Sequence, residues 1–123
     1  MAKLTDYVSY ADAHRHFSKE ALWDLFDGDR ERLNIAHECL ERHERNRTAV
    51  RIAHGDGGSD SFTFGTLSDL SGKFASWLIG RGVKKGERVA IMLEPSLEFY
   101  AALFGTMKAG AVAVPLFTAF GPD

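Results

Sequence analysis

Two unbroken apolar runs of strand length, separated by one segment of helix length, constrain this chain most. The apolar runs are residues 89–93 and 111–115, and residues 97–108 lie between them. An apolar run without alternation is typical of a strand that is covered on both faces, as in a parallel sheet. Parallel strands joined by a single helix form a right-handed crossover unit. The pattern therefore predicts an α/β fold with a mostly parallel sheet and crossover helices.

A helix is expected between the first predicted strands and residue 89. Thr66 and Asp69 form a near capping box, which predicts that this helix begins at Thr66. An apolar stripe at helical spacing follows, and Gly80 and Gly82 end the helix, because glycine tolerates the left-handed conformation found there. Trp77 lies on the stripe, so we expect its ring in the core.

Two glycine-rich stretches resemble nucleotide-binding loops, and both have simpler interpretations. Residues 55–58 lie between two short strands, 48–53 and 61–64, so they predict the loop of an antiparallel hairpin. A phosphate-binding loop would need a Lys-Ser/Thr pair and a helix after it. Residues 80–86 follow a helix instead of a strand, the reverse of a dinucleotide fingerprint. They predict a helix end and a tight turn.

The N-terminal third of the chain has a helical sequence pattern, unlike the α/β pattern of the rest. Residues 1–45 read as a helical arm, and residues 46–123 as an α/β subdomain. Ser18 is a good N-cap for one helix of the arm and Asn34 for another. In the helix that follows Asn34, helical spacing places Cys39 on the apolar face and Glu38 on the polar face.

Composition and charge exclude several classes of protein. The 123 residues include 15 basic and 17 acidic side chains, a formal net charge of −2. Nucleic-acid partners require a clustered basic excess, so we expect none. No apolar run reaches the roughly 20 residues of a membrane-spanning helix, so no transmembrane segment is expected. The single Cys39 excludes an internal disulfide and fits a reducing, cytoplasmic location. The five histidines do not converge at ligand spacing, and we expect no metal site.

The predicted topology indicates where a ligand would lie. In open α/β sheets, ligands bind beyond the carboxyl ends of the strands. Here those ends are residues 94–96 and 117–121. An anion at the helix N-terminus near Ser96 would be repelled by Glu94 and Glu98. Residues 117–121 are therefore the better candidate. The aromatic helix over residues 97–108 is expected to be structural core, with the lining of an acyl pocket as the alternative.

Several ordered motifs of this chain resemble the AMP-forming acyl-CoA synthetases of the adenylate-forming superfamily. They are Phe62-Thr-Phe, the run GVKKGERVAIML at residues 82–93, KAGAV at residues 108–112 and PLFTAFGP at residues 115–122. The run LNIAHECLERH at residues 33–43 resembles the acetyl-CoA and medium-chain branch. The resemblance covers about residues 20–123, nearly the whole chain, and implies the N-terminal subdomain of that fold.

The resemblance implies a ligase of fatty-acid metabolism that joins a small carboxylic acid to coenzyme A, using ATP and Mg²⁺ through an acyl-adenylate. The family's phosphate loop, ribose-binding Asp and catalytic Lys have no counterpart in these 123 residues. No catalytic residue is therefore carried over, and no cofactor is expected within this piece. Phe120 and Gly121 alone are placed, by resemblance, near the acyl and coenzyme A region.

The sequence leaves two functional hypotheses open. The first is an N-terminal portion of an acyl-CoA ligase, inactive by itself and prone to self-associate or dependent on the rest of its chain. We expect a truncated protein, because the sheet predicted from residues 89–115 lacks its next covering helix. The second is a stand-alone binding or regulatory module that reuses the subfold. The start of a peptide-synthetase or luciferase-like adenylation domain is a lesser alternative to the first.

Overall fold

The computed structural model describes residues 2–119, which form two compact units. One unit ends at Asn34 and the other begins at Ile35. The first unit contains a 3₁₀ turn at Leu4–Asp6 and two short helices, α1 (Tyr10–Arg15) and α2 (Lys19–Trp23). The hydroxyl of Ser18 accepts a hydrogen bond from the Ala21 amide at 3.0 Å, so the predicted N-cap is confirmed.

The second unit carries the strands. It begins with a π-helical turn, His37–Glu41, followed by strands β1 (Thr48–Ala53) and β2 (Ser59–Thr63). Helix α3 (Phe64–Gly80), strand β3 (Arg88–Ile91), helix α4 (Leu97–Lys108) and strand β4 (Val112–Pro115) complete it. Strands β1 and β2 form one antiparallel sheet, and β3 and β4 form a separate parallel sheet. The α/β fold, the hairpin and the parallel crossover pair are thus confirmed.

Helix α3 begins earlier than the sequence indicates. Its N-cap is Thr63, whose hydroxyl accepts a hydrogen bond from the Thr66 amide at 3.1 Å. The first free N–H groups of the helix donate to the segment before β1: Phe64 to the Arg47 carbonyl and Gly65 to the Arg45 carbonyl. The predicted start at Thr66 was therefore wrong, because carbonyls distant in the sequence accept hydrogen bonds from the amides of the additional turn.

The β3–α4–β4 unit follows the predicted pattern closely. The hydroxyl of Ser96 caps α4, accepting from the Phe99 amide at 3.1 Å. Gly110 ends the segment with a φ of 74°, a left-handed conformation that favours glycine. In the parallel register, Val89 lies opposite Ala113 and Ala90 opposite Val114.

One face of the parallel sheet is covered and the other is open. Ile91 is only 4% exposed, on the face against which α4 packs. Alternation along the strands directs Ala90, Met92, Val112 and Leu116 to the opposite face, and all four are exposed. The expectation that both faces are covered does not hold within residues 2–119.

Small side chains bring α3 and α4 into close contact. The core side of α3 presents Leu67, Ser71, Ala75 and Leu78, and that of α4 presents Ala101, Ala102, Gly105 and Thr106. A Cβ atom built on Gly105 would lie 2.6 Å from the Ser71 carbonyl oxygen and 2.9 Å from a ring carbon of Phe74. Gly105 therefore allows the two helices to approach closely.

On two helical segments, individual side chains lie on the side opposite to the predicted one. Trp77 is 56% exposed, stacking on Phe74 with ring centroids 5.6 Å apart and lying beneath the Arg81 guanidinium. In the π-helical turn Cys39 is exposed, whereas Glu38 is buried and paired with Arg42. A π-helical turn bonds residue i to residue i+5, so its faces differ from those of an α-helix.

A half-buried lysine connects three elements of this unit. The Lys108 ammonium, at the end of α4, donates to the Ser68 carbonyl of α3 at 2.9 Å and pairs with the Glu41 carboxylate of the π-helical turn. The Lys108 side chain is only 15% exposed, so these partners compensate for the loss of water around its charge.

In residues 2–119 no helix is both long and apolar enough to cross a membrane.

Candidate functional site

A cleft of about 520 Å³ lies at the carboxyl ends of β3 and β4. The β3–β4 hydrogen bonds continue one residue beyond the strands, where the Leu116 amide donates to the Ile91 carbonyl at 2.8 Å. The two chain segments then separate around the cleft. It is lined by Leu93, Glu94, Pro95, Phe99, Pro115, Leu116, Phe117, Thr118 and Ala119. The topology thus brings together residues that are more than 20 positions apart in the sequence.

The polar groups of the cleft bond to each other. The Thr118 hydroxyl donates a hydrogen bond to the Glu94 carboxylate, so the loop after β4 is joined to the loop after β3. Glu98 lies in the first turn of α4 but is not one of the residues that line the cleft, and the hydroxyl of Ser96 is occupied as the helix cap. The cleft is therefore apolar in its walls and acidic at one side.

The sequence predicted part of this site and missed part of it. Of the two predicted loops, Glu94 and residues 117–119 line the cleft. Phe120 and Gly121 lie outside the described residues. Phe99, in the first turn of α4, also lines the cleft. The sequence favoured this helix as structural core, with the lining of a pocket as the alternative. The Glu94–Thr118 bond has no sequence signal.

The other stretches considered for chemistry have structural roles. The loop at residues 55–58 joins the antiparallel strands β1 and β2, as predicted, with the Gly58 amide bonded to the Asp56 carboxylate at 2.8 Å. Gly82 follows α3 with a φ of 88°, which confirms the helix end. Across residues 2–119, no three His, Cys, Asp or Glu side chains converge on a point where a metal ion could bind. Neither stretch has the Lys-Ser/Thr pair that follows the glycines of a phosphate-binding loop.

Comparison with known proteins establishes the family. The sequence profile of the family described as "AMP-binding enzyme" matches residues 37–123, well over half of the chain. The chain belongs to the AMP-binding enzyme family. The acetyl-coenzyme A synthetase of Bacillus subtilis is 33% identical over 117 residues, which cover 91% of this chain and 20% of that protein. That of Alkalilimnicola ehrlichii is 35% identical over 127 residues, covering 98% of this chain and 19% of that protein.

A solved structure agrees with the sequence relatives. An acyl-CoA synthetase from Brucella canis superposes with a TM-score of 0.79 and 32% identity, covering 91% of this chain and 21% of that one. The fold matches the N-terminal part of the acyl-CoA synthetase structures. The chain thus spans about a fifth of the length of the relatives it matches. The resemblance drawn from the sequence is confirmed.

Proposed function

We propose that this chain is the N-terminal portion of an AMP-forming acyl-CoA ligase, which joins a carboxylic acid to coenzyme A at the expense of ATP. The observation that carries the proposal is the match to acetyl-coenzyme A synthetases over 91–98% of the chain. The proposal includes that the complete enzyme acts in the cytoplasm, in fatty-acid metabolism, and that it uses ATP together with Mg²⁺. The 123 residues form a scaffold that the rest of such an enzyme completes.

Within this scaffold, the carboxyl-end cleft is the part that contributes to ligand binding. Its place at the ends of parallel strands supports the assignment, since ligands of open α/β sheets lie there. Phe120 and Gly121, which directly follow Ala119 in the sequence, are proposed contacts in the acyl and coenzyme A region by resemblance to the family alone. The phosphate loop and the catalytic lysine that the resemblance implies for the whole enzyme have no counterpart in these 123 residues.

ATP–pyrophosphate exchange tests this function. Measured with acetate through octanoate, exchange by the 123-residue chain alone should stay at background, because adenylation needs a phosphate loop and a catalytic lysine. Exchange should appear when the chain replaces the corresponding segment of an acetyl-coenzyme A synthetase. Robust exchange by the chain alone would overturn the proposal that it is only a portion of the enzyme.

The open face of the β3–β4 sheet leads to a second expected result, on association. Its exposed Ala90, Met92, Val112 and Leu116 form an apolar surface that monomeric proteins rarely leave uncovered. The two-stranded sheet also offers free edges for pairing with another chain. Multi-angle light scattering of the 123-residue chain should therefore show dimers or larger species, and Met92→Lys should shift the distribution toward monomer. A sharply melting monomer would favour a stand-alone binding module instead.

A further inference from the structure

A side-chain hydrogen bond, the Glu94–Thr118 bridge, joins the two loops that line the carboxyl-end cleft. The backbone ladder between β3 and β4 ends where the Leu116 amide donates to the Ile91 carbonyl. Beyond that point the Thr118 hydroxyl donates to Glu94 Oε1, across 24 positions of sequence. The bridge therefore joins the two loops past the last backbone bond.

The charges around the cleft are of one sign. Seven of its nine lining side chains are apolar: Leu93, Pro95, Phe99, Pro115, Leu116, Phe117 and Ala119. Among the described lining residues there is no lysine or arginine, and the charged group is the exposed carboxylate of Glu94. Glu98 in the first turn of α4 opposes the attraction that the helix N-terminus exerts on anions. An uncharged apolar group suits such a cleft, and a group with negative charge does not.

We propose that Glu94 and Thr118 determine what enters this cleft. Their hydrogen bond positions the two loops, and the Glu94 carboxylate selects an uncharged apolar group over an anionic one. Glu94 thus acts as a specificity-determining residue and Thr118 as a positioning residue. The proposal rests on the proposed function only in that it concerns the same cleft, and its test requires no ligase activity. Failure of one is therefore distinguishable from failure of the other.

A matched pair of probes tests the selectivity. Benzyl alcohol and benzoate have similar shape and differ in charge, and their binding to the dilute 123-residue chain is followed by amide chemical shifts at low ionic strength. Benzyl alcohol should shift the amides of Leu93, Glu94 and residues 116–119, and it should bind roughly fourfold more tightly than benzoate, as expected for unit charges about 5 Å apart in a water-like medium. The absence of shifts at these amides, or equal binding of the two probes, would overturn the proposal.

Two variants separate the charge from the hydrogen bond. In Glu94→Gln the amide oxygen still accepts from Thr118 but the charge is gone, so the preference for benzyl alcohol should fall clearly below fourfold. In Thr118→Val the charge remains and the bridge is lost. Both probes should then bind more weakly with their ratio unchanged, and amide exchange at residues 117–119 should accelerate. An unchanged ratio in Glu94→Gln would overturn the selectivity, and unchanged exchange in Thr118→Val would overturn the positioning role.

Discussion

Leu67→Ala should lower the free energy of unfolding by about 2–5 kcal/mol, the usual loss for a buried leucine truncated to alanine. Leu67 is fully buried on the core side of α3 and is the largest side chain of the described residues with so little exposure. A domain of this size has only about 5–15 kcal/mol in total. The melting temperature should therefore fall by roughly 10 °C or more. Urea and thermal unfolding followed by far-UV circular dichroism measure both quantities.

Trp77→Ala is the matched control on the same helix. The indole is larger than the Leu67 side chain but 56% exposed, so its truncation removes contacts with Phe74 and Arg81 without opening a cavity. We expect a loss of about 1 kcal/mol, the scale of an aromatic pair at a surface. A larger loss for Trp77→Ala than for Leu67→Ala would show that the buried face of α3 is wrongly assigned.

Gly105→Ala should destabilise the second unit by about 1–3 kcal/mol, as overpacking of a tight core does. The added Cβ would lie 2.6 Å from the backbone oxygen of Ser71, which cannot move without moving α3. The gain in helix propensity from replacing glycine, about 1 kcal/mol, does not offset this overlap. Equilibrium unfolding in urea gives the change.

Gly72→Ala provides the control of opposite sign. Gly72 lies within α3, and a Cβ atom there would meet no other atom within 4 Å. The substitution should stabilise the unit by about 0.4–1 kcal/mol, because alanine lowers the conformational entropy of the unfolded chain and has a higher helix propensity than glycine. If both alanine variants were more stable than the unchanged chain, the close contact of α3 and α4 at Gly105 would be contradicted.

The features that could be predicted are those decided locally. The bounds of β1, the caps at Ser18 and Ser96 and the turn at Gly82 follow from composition and backbone preferences within a few residues. The start of α3 could not be predicted in this way. Thr63 and Thr66 both carry capping hydroxyls, and the choice between them depends on hydrogen bonds to Arg45 and Arg47, which belong to the segment before β1.

The packed faces required information about the partner helix. The apolar stripe of α3 contains both large and small residues, and size alone favours Trp77 as core. Because Gly105 allows α4 to approach closely, the small Ser71 and Ala75 occupy the interface instead. In the π-helical turn, the altered spacing buries Glu38 and exposes Cys39, which an α-helical period does not predict.

The position of the candidate site followed from topology, whereas its chemistry did not. Parallel strands place residues 94 and 117–119 at one edge regardless of side chains. The bond between Glu94 and Thr118 depends on the exact path of two irregular loops, for which the sequence has no periodic signal. The acidic, bridged mouth of the cleft is therefore a finding of the structure.

The measurement that tests the central claim most directly is ATP–pyrophosphate exchange by a chimera. In it, the 123 residues replace the corresponding fifth of the Bacillus subtilis acetyl-coenzyme A synthetase. The unaltered synthetase and the 123-residue chain alone serve as controls, and a thermal melt establishes that the chimera is folded. If the chain is the N-terminal portion of an acyl-CoA ligase, the folded chimera should catalyse acetate-dependent exchange while the chain alone stays at background. A cooperatively folded chimera without exchange would contradict the account.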